Sequence, residues 1–241
     1  SNSFLILCVC AVVLTAAVFP LQRPMLMFFG ASETTYPYAE EYFSIYLCGT
    51  AFNLLSLGMN QFIISQGFAK KGMFSVVLGA ALNIVLDPLF IFVFDMGVAG
   101  AAVATVLSQL ASCVYVLCVL FGRTVPVRIG FGRYSLRLVG RILVTGISPF
   151  LIIFVDSIMI ISMNAVLQSY GGPELGDRLI TCATIAQSFM LVVTMPLGGI
   201  SGGTQTILAF NFGAHRRDRI LEAQKHITLP VSYTHLTLPT T

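Results

Sequence analysis

The chain has 241 residues, of which 56% are hydrophobic and only 10% are charged, and its formal net charge is +3. This composition excludes a soluble domain, because too few polar residues are present to cover so much apolar surface. The sequence therefore predicts an all-α membrane protein. Helices are expected rather than barrel strands, because the apolar runs are long and a helix satisfies its own backbone groups within the membrane.

Six apolar runs follow one another along the chain, and each is at least as long as the roughly 20 residues that a helix needs to cross a bilayer. They cover residues 3–22, 42–69, 72–94, 96–122, 142–173 and 179–214, with Asp87 and Asp156 interrupting the third and the fifth. We therefore predict six transmembrane helices.

The loops between these runs differ in charge. Of the 13 basic residues, 11 lie in alternate loops, at residues 70–71, 123–141 and 215–225. The intervening loops carry acids together with Arg23 and Arg178: Glu33, Glu40, Glu41, Asp95, Glu174 and Asp177. Because cytoplasmic loops are enriched in Lys and Arg, the three basic loops are predicted to be cytoplasmic in a multi-pass protein of the cell membrane. Nucleic-acid or lipid head-group patches are the alternative, but topology alone accounts for these charges, and no nucleic-acid partner is expected.

Both ends of the chain are unusual. It opens on Ser1, without an initiator Met, directly before an apolar run, which predicts a piece of a longer protein. Residues 229–241 combine two prolines with no charge and no helical period. They resemble a translated sequencing-adaptor tail and are excluded from the fold prediction, with a short native β-like tail as the alternative.

Cysteine and histidine do not form a metal-binding pattern. The cysteines lie within apolar runs without metal-ligand spacing and are interpreted as packing residues: Cys8, Cys10, Cys48, Cys113, Cys118 and Cys182. His215, His226 and His235 lie near the end of the chain and are not spaced with other ligands. We predict no metal site, no cofactor and no catalytic residues.

Asp87 is one of only two acids within the predicted spans, and such carboxylates usually mark ion or proton pathways. Asn83 lies four residues earlier and shares its helix face, while Pro88 removes a backbone donor from the next turn. A tight turn near residues 95–97 would place Thr105 at a depth similar to that of Asp87, on the order of 12 Å from the membrane surface. These oxygens suit Na⁺, and the carboxylate can equally hold H⁺. The alternative is that Asp87 caps a helix broken at Pro88.

Asp156 is the second acid, about 22 Å from either end of its predicted span and therefore near the middle of the bilayer. Pro149 predicts a kink to its cytoplasmic side, and Ser157 and Asn164 add polarity to the same helix. A midplane acid beside a kink is typical of a proton or cation relay. The alternative is a structural aspartate bonded to neighbouring helices.

The sixth run is too long for one straight crossing, and Pro196 with two nearby glycine pairs predicts a kinked helix. Gln187 and Gln205 lie on it and, with Asn164, are candidates for residues along a substrate path. For the glycines, close helix packing is the default interpretation.

Several stretches together resemble the multidrug and toxic compound extrusion (MATE) transporters. LNIVLDPLFIF with MGVAGAAVATVLSQ is similar to their fifth and sixth helices, GISPFLIIFVDS with NAVLQSYGG to the seventh, and MPLGGISGGTQTILAFNFGAHRRDRI to the eighth and the loop beyond. The resemblance covers nearly all of residues 3–225.

Membership would imply a transporter of twelve helices in two lobes that exports organic, often cationic, compounds in exchange for Na⁺ or H⁺. Residues 1–122 would then belong to the first lobe, 123–141 to the loop between lobes, 142–228 to the second lobe and 229–241 to the foreign tail. The resemblance also implies that Asn83, Asp87 and Thr105 form a cation site and that Asp156 matches an acid of related pumps. Its partners would be a small organic molecule and the lipid bilayer, and no oligomer is required.

Three other functions fit these residues less well. A lipid-linked oligosaccharide flippase of the same superfamily would favour cationic residues within the spans, and this chain has none there. A membrane-embedded prenyl-transfer enzyme needs paired Mg²⁺-binding acids, whereas the two span acids lie 69 residues apart. A purely structural membrane protein leaves the two acids unexplained. The sequence leaves the substrate, and the choice between Na⁺ and H⁺, open.

Overall fold

The computed structural model describes residues 2–132 and 134–237, and within these ranges the chain forms helices and no strand. The all-α fold class is therefore confirmed. The chain groups into two compact units, Ser1–Asp177 and Arg178–Thr241. Arg133 of the basic loop, Ser1 and the last four residues of the predicted tail lie outside the described residues.

The described residues form eight α-helices, one short 3₁₀ turn and one short π turn, joined by loops. In chain order these are α1 (Asn2–Val18), a 3₁₀ turn (Phe19–Leu21), α2 (Gln22–Phe28), α3 (Tyr36–Cys48), α4 (Thr50–Ser65), α5 (Ala69–Pro88), a π turn (Leu89–Val93), α6 (Gly97–Phe121), α7 (Leu136–Gly213) and α8 (Arg217–Thr237). Four helical stretches are long and apolar enough to cross a membrane, and six are if each of two bent helix pairs counts as one span. The count of six, with each bent pair taken as one span, agrees with the six predicted spans.

The second predicted span is not one helix, because α3 and α4 meet at an angle of 53° at Gly49. A Cβ atom built on Gly49 would lie 2.6 Å from Cγ2 of Val106 in α6. The chain therefore bends where its backbone lies close to α6, and a single apolar run gives no sign of such a contact.

The predicted hairpin between the third and fourth spans is confirmed. Asp95 and Gly97 both have φ of 53°, a left-handed conformation that reverses the chain between the π turn and α6. α5 and α6 then pack side by side along their lengths.

The break in α7 lies at Gly172, with φ 62° and ψ −168°, rather than at Pro149. Pro149, where the sequence predicted a kink, lies within the continuous helical stretch Leu136–Gly172. The later part of α7 is bent by 42° between Leu175–Val192 and Thr194–Gly213, close to Pro196, as predicted for a kinked sixth span. α8 continues to Thr237, so the backbone is helical in much of the segment that was predicted to lack helical structure.

α6 lies at the centre of the first unit and packs against α3, α4 and α5. The buried side of its first half consists mainly of small residues: Ala99, Gly100, Ala102, Ala104, Ser108 and Ser112. Small side chains let helix backbones approach closely, which is how helices associate in lipid, where burial of apolar surface gives little driving force. By contrast, α5 and the first part of α7 expose large apolar side chains, as expected for surfaces that face lipid.

Two predicted basic loops lie at one end of this unit, which we call the basic end. The Lys71 ammonium donates to the Thr124 carbonyl at 3.4 Å, and the Gln66 amide bonds both the N–H and the C=O of Val127. Val125 and Ile129 are buried in the apolar core with α4 and α6. The chain that follows α6 is therefore fastened to the helix bundle.

Gly100 provides a test of this packing. In Gly100→Val, the new Cβ would lie 2.8 Å from the backbone carbonyl carbon and oxygen of Phe90, which cannot move aside as a flexible side chain would. We expect a loss of about 1–3 kcal/mol in unfolding free energy, measured as a lower thermal midpoint in detergent. Gly146→Val is the matched control, because no atom lies within 4 Å of its Cβ position. Equal midpoints for the two variants would contradict the close packing.

Candidate functional site

The last turns of α5 hold the first candidate acid. The Asn83 side-chain Nδ2 donates a hydrogen bond of 3.0 Å to Oδ1 of Asp87, and both residues are half-buried. They are four residues apart, so one helix face carries both, as the sequence predicted. Because the Asn83 nitrogen faces Asp87, the carbonyl oxygen of the same amide is directed away from the carboxylate.

The backbone beside Asp87 departs from α-helical geometry. α5 ends at Pro88, and residues Leu89–Val93 form a π turn in which Phe94 N–H bonds to the Leu89 carbonyl. Pro88 has no N–H, so it cannot supply the helical hydrogen bond to the carbonyl of Ile84. Single π turns within helices occur frequently at functional sites. Asp87 therefore lies at a helix end with a distorted backbone.

A cavity of about 230 Å³ lies between α4, α5 and α6. Its lining includes hydroxyl and amide side chains but no charged residue: Asn53, Ser56, Asn83, Thr105, Ser108, Gln109 and Ser112. Asn83 and Thr105 are thus brought together, as predicted. Asp87 does not line this cavity, and it reaches the cavity wall only through its hydrogen bond to Asn83.

Thr105 does not bond to Asp87. Its hydroxyl donates to the carbonyl of Ala101, one turn earlier in α6, at 2.9 Å. Because its proton is used in this bond, the Thr105 hydroxyl can act in the cavity only as an acceptor, through the lone pairs of its oxygen. The structure therefore places Asn83 and Thr105 on one cavity and joins Asp87 to it through Asn83. That these residues bind a cation stays a prediction.

Three residues that the sequence analysis did not single out organise the cavity wall. The hydroxyl oxygen of Tyr46 in α3 accepts hydrogen bonds of 3.4 Å from the side-chain nitrogens of Asn53 and of Gln109. Oε1 of Gln109 is enclosed and has no hydrogen-bond partner within the described part of the chain. The sequence shows that Asn53 and Gln109 lie within uncharged spans. It does not show that both side chains meet Tyr46, because the three residues come from different helices.

Further polar contacts extend from the cavity wall towards the beginning of α5. Ser112, on its wall, donates to the carbonyl of Ser75 at 2.9 Å, and the buried Ser75 hydroxyl donates to the carbonyl of Gly72. The same carbonyl accepts from Asn60, whose side chain is 5% exposed. These bonds join α4, α5 and α6.

Asp156 lies in the helical stretch Leu136–Gly172, and its side chain is exposed. Among the described residues it makes no hydrogen bond or ion pair, whereas the neighbouring Ser157 hydroxyl bonds to the Ile153 carbonyl in its own helix. Asn164 lies two turns further along and is half-buried. In the second unit, Gln187 and Gln205 lie on opposite sides of the 42° bend. The described residues contain no cluster of three or more His, Cys, Asp or Glu that would suit a metal ion.

Comparison with known proteins gives consistent matches. The family model MatE matches residues 1–89. The multidrug export protein MepA of Staphylococcus aureus (strain NCTC 8325 / PS 47) is 24% identical over 199 residues, which cover 82% of this chain and 43% of MepA.

Solved structures match nearly the whole chain. One, described as the inward-facing conformation of a multidrug resistance MATE family transporter of the MOP superfamily, has a TM-score of 0.77 at 25% identity, over 98% of this chain and 53% of that one. A structure described as the outward-facing conformation of such a transporter has a TM-score of 0.83 at 24% identity, over 98% and 52%. The chain spans about half the length of the relatives that it matches. The helical fold and these matches agree, and the chain is similar to MATE family transporters over most of its length.

Proposed function

We propose that this chain is part of a secondary transporter that exports organic compounds, often cationic, in exchange for Na⁺ or H⁺. The observation that carries the proposal is the hydrogen-bonded Asn83–Asp87 pair beside an uncharged cavity that hydroxyl and amide side chains partly line. Carboxylate, amide and hydroxyl oxygens are suitable ligands for Na⁺, and a carboxylate in surroundings of low polarity can also carry H⁺. The names of the matched proteins, a multidrug export protein and multidrug resistance transporters, support the same activity.

In this proposal the cation binds in the first lobe. Asp87 supplies the charge, Asn83 links it to the cavity, and the Thr105 hydroxyl contributes a further oxygen. Binding and release of the ion would change the net charge beside the cavity. In this proposal, the change in charge couples ion entry to a conformational transition.

The second lobe would contribute Asp156 near the middle of the bilayer. An exposed carboxylate at that depth is costly unless it gains a proton, a cation or a partner group. We propose that Asp156 serves as the second coupling or substrate-contacting acid, with Asn164, Gln187 and Gln205 along the substrate path. The lobes would consist of residues 1–122 and 142–228, joined by the loop 123–141, with residues 229–241 as a foreign tail. Loops 70–71, 123–141 and 215–225 would be cytoplasmic.

The first test concerns the acid of α5. In the whole transporter that contains this chain, we expect Asp87→Asn to reduce gradient-driven efflux of a fluorescent organic cation from everted vesicles by about tenfold or more, equivalent to about 1.4 kcal/mol of lost coupling. Asp95→Asn is the matched control, since it makes the same chemical change in an exposed turn with φ of 53°, which Asn tolerates. If Asp87→Asn and Asp156→Asn both leave efflux unchanged, the assignment of coupling residues is wrong.

A second test concerns the cavity wall. Tyr46→Phe removes the acceptor shared by Asn53 and Gln109, so two amides lose a hydrogen bond at a cost of about 1–3 kcal/mol for each group left buried and unpaired. We expect a lower thermal midpoint in detergent and a higher KM for efflux, because the amides can then turn into the cavity. Tyr38→Phe, on an exposed part of α3, serves as the control and should change neither quantity. A normal KM in a stable Tyr46→Phe variant would exclude a role for this cluster in binding.

A further inference from the structure

A second set of polar contacts lies outside the cavity and joins two distant parts of the sequence. The hydroxyl of Ser32 donates a hydrogen bond of 2.9 Å to Oδ2 of Asp177, and the hydroxyl of Thr34 donates to the same oxygen at 3.3 Å. These partners are 145 and 143 residues apart. Ser32 and Thr34 lie in the loop between α2 and α3, and Asp177 follows the break in α7.

The loop between α2 and α3 is held in shape before it reaches Asp177. The backbone N–H of Ser32 donates to the Thr35 hydroxyl at 2.9 Å, and the N–H of Thr35 donates to the Ser32 hydroxyl at 3.2 Å. Gly30 has φ of 103° and allows the turn that precedes them. The reciprocal bonds fix the Ser32 hydroxyl, so its position relative to Asp177 is set by the loop rather than by a free rotamer.

The helix that precedes Asp177 is interrupted at Gly172, about which the following residues could rotate. Gly172, five residues earlier, has φ 62° and ψ −168°, a conformation essentially restricted to glycine. The next contact is Gly176, which packs against the side chain of Gln168, where a Cβ would lie 2.7 Å from the amide oxygen. A rotation at Gly172 would move Asp177 relative to the preceding helix, and the contact with Ser32 and Thr34 opposes it.

We propose that the Ser32–Thr34–Asp177 contact is a conformational latch, closed in this structure and opened during each transport cycle, with Gly172 as its pivot. This proposal rests on the transport function proposed above. Within the first unit the latch joins the loop between α2 and α3 to the residues after the break in α7, at the end opposite the basic end. The fold is compatible with two such states, because the chain matches transporter structures described as inward-facing and as outward-facing.

The chemistry of the contact suits repeated opening. The two donors are neutral hydroxyls in or beside an exposed loop, so water can replace them at the carboxylate when the contact breaks. A charge-assisted bond to Asp177 nevertheless favours the closed geometry over an unspecific contact.

A cross-linking experiment on the whole transporter tests the latch. In a variant without native cysteines that retains efflux, Ser32→Cys and Asp177→Cys are combined and bridged with a short bifunctional thiol reagent that a reductant cleaves. We expect a high yield of bridged protein, loss of most efflux, and recovery after reduction. The control pair is Gln22→Cys with Ser44→Cys, whose side chains also share a hydrogen bond of 2.9 Å but lie on the neighbouring helices α2 and α3. Bridging this pair should leave efflux intact.

The possible results separate the two proposals. Efflux that continues when residues 32 and 177 are bridged overturns the latch and leaves the transport function standing. Failure of this pair to bridge under any gradient, while the control pair bridges, also overturns it. A cysteine-free parent and a wild-type protein that both export no compound under an Na⁺ or H⁺ gradient overturn the transport function, and the latch as a transport device with it.

Discussion

The close approach of α6 to α4 and α5 is the constraint on which the rest of the first unit depends. Helices within a bilayer gain little from burying apolar side chains, so they associate where small residues let their backbones pack and where polar groups bond across the gap. Ala102 and Gly100 meet the first condition, and the Ser112–Ser75 hydrogen bond meets the second. With α6 fixed in this way, Thr105 and Gln109 necessarily face α4 and α5, and a polar cavity forms between them.

The two span acids differ in how the described chain surrounds them. Asp87 has an amide partner on its own helix and lies beside a cavity formed by its neighbours. Asp156 is exposed on a helix whose apolar side chains are also largely exposed. The first acid is therefore pre-organised by local contacts, while the second must obtain its stabilising partner from ions, protons or groups other than those described around it.

Much of the fold follows from the sequence, because span length and loop charge are properties of continuous segments. The six apolar runs, the tight turn near residues 95–97 and the shared helix face of Asn83 and Asp87 were all predictable in this way. The bend at Gly49 was not, since nothing in a continuous apolar run marks the close approach of Gly49 to Val106 far along the chain. For the same reason the cluster around Tyr46 was missed: each amide is unremarkable alone, and only the packing of α3 against α6 brings them together.

The attachment of the segment after α6 has a mechanical consequence for α7. Val125 and Ile129 are held in the core, and the N–H of Ser135 bonds at 3.1 Å to the side chain of Asn2 at the start of α1. The helical stretch Leu136–Gly172 begins at the next residue, so its origin is fixed to the bundle although most of its length is exposed. A small tilt of this stretch about residue 135 would therefore displace its far end, at Gly172, more than its beginning.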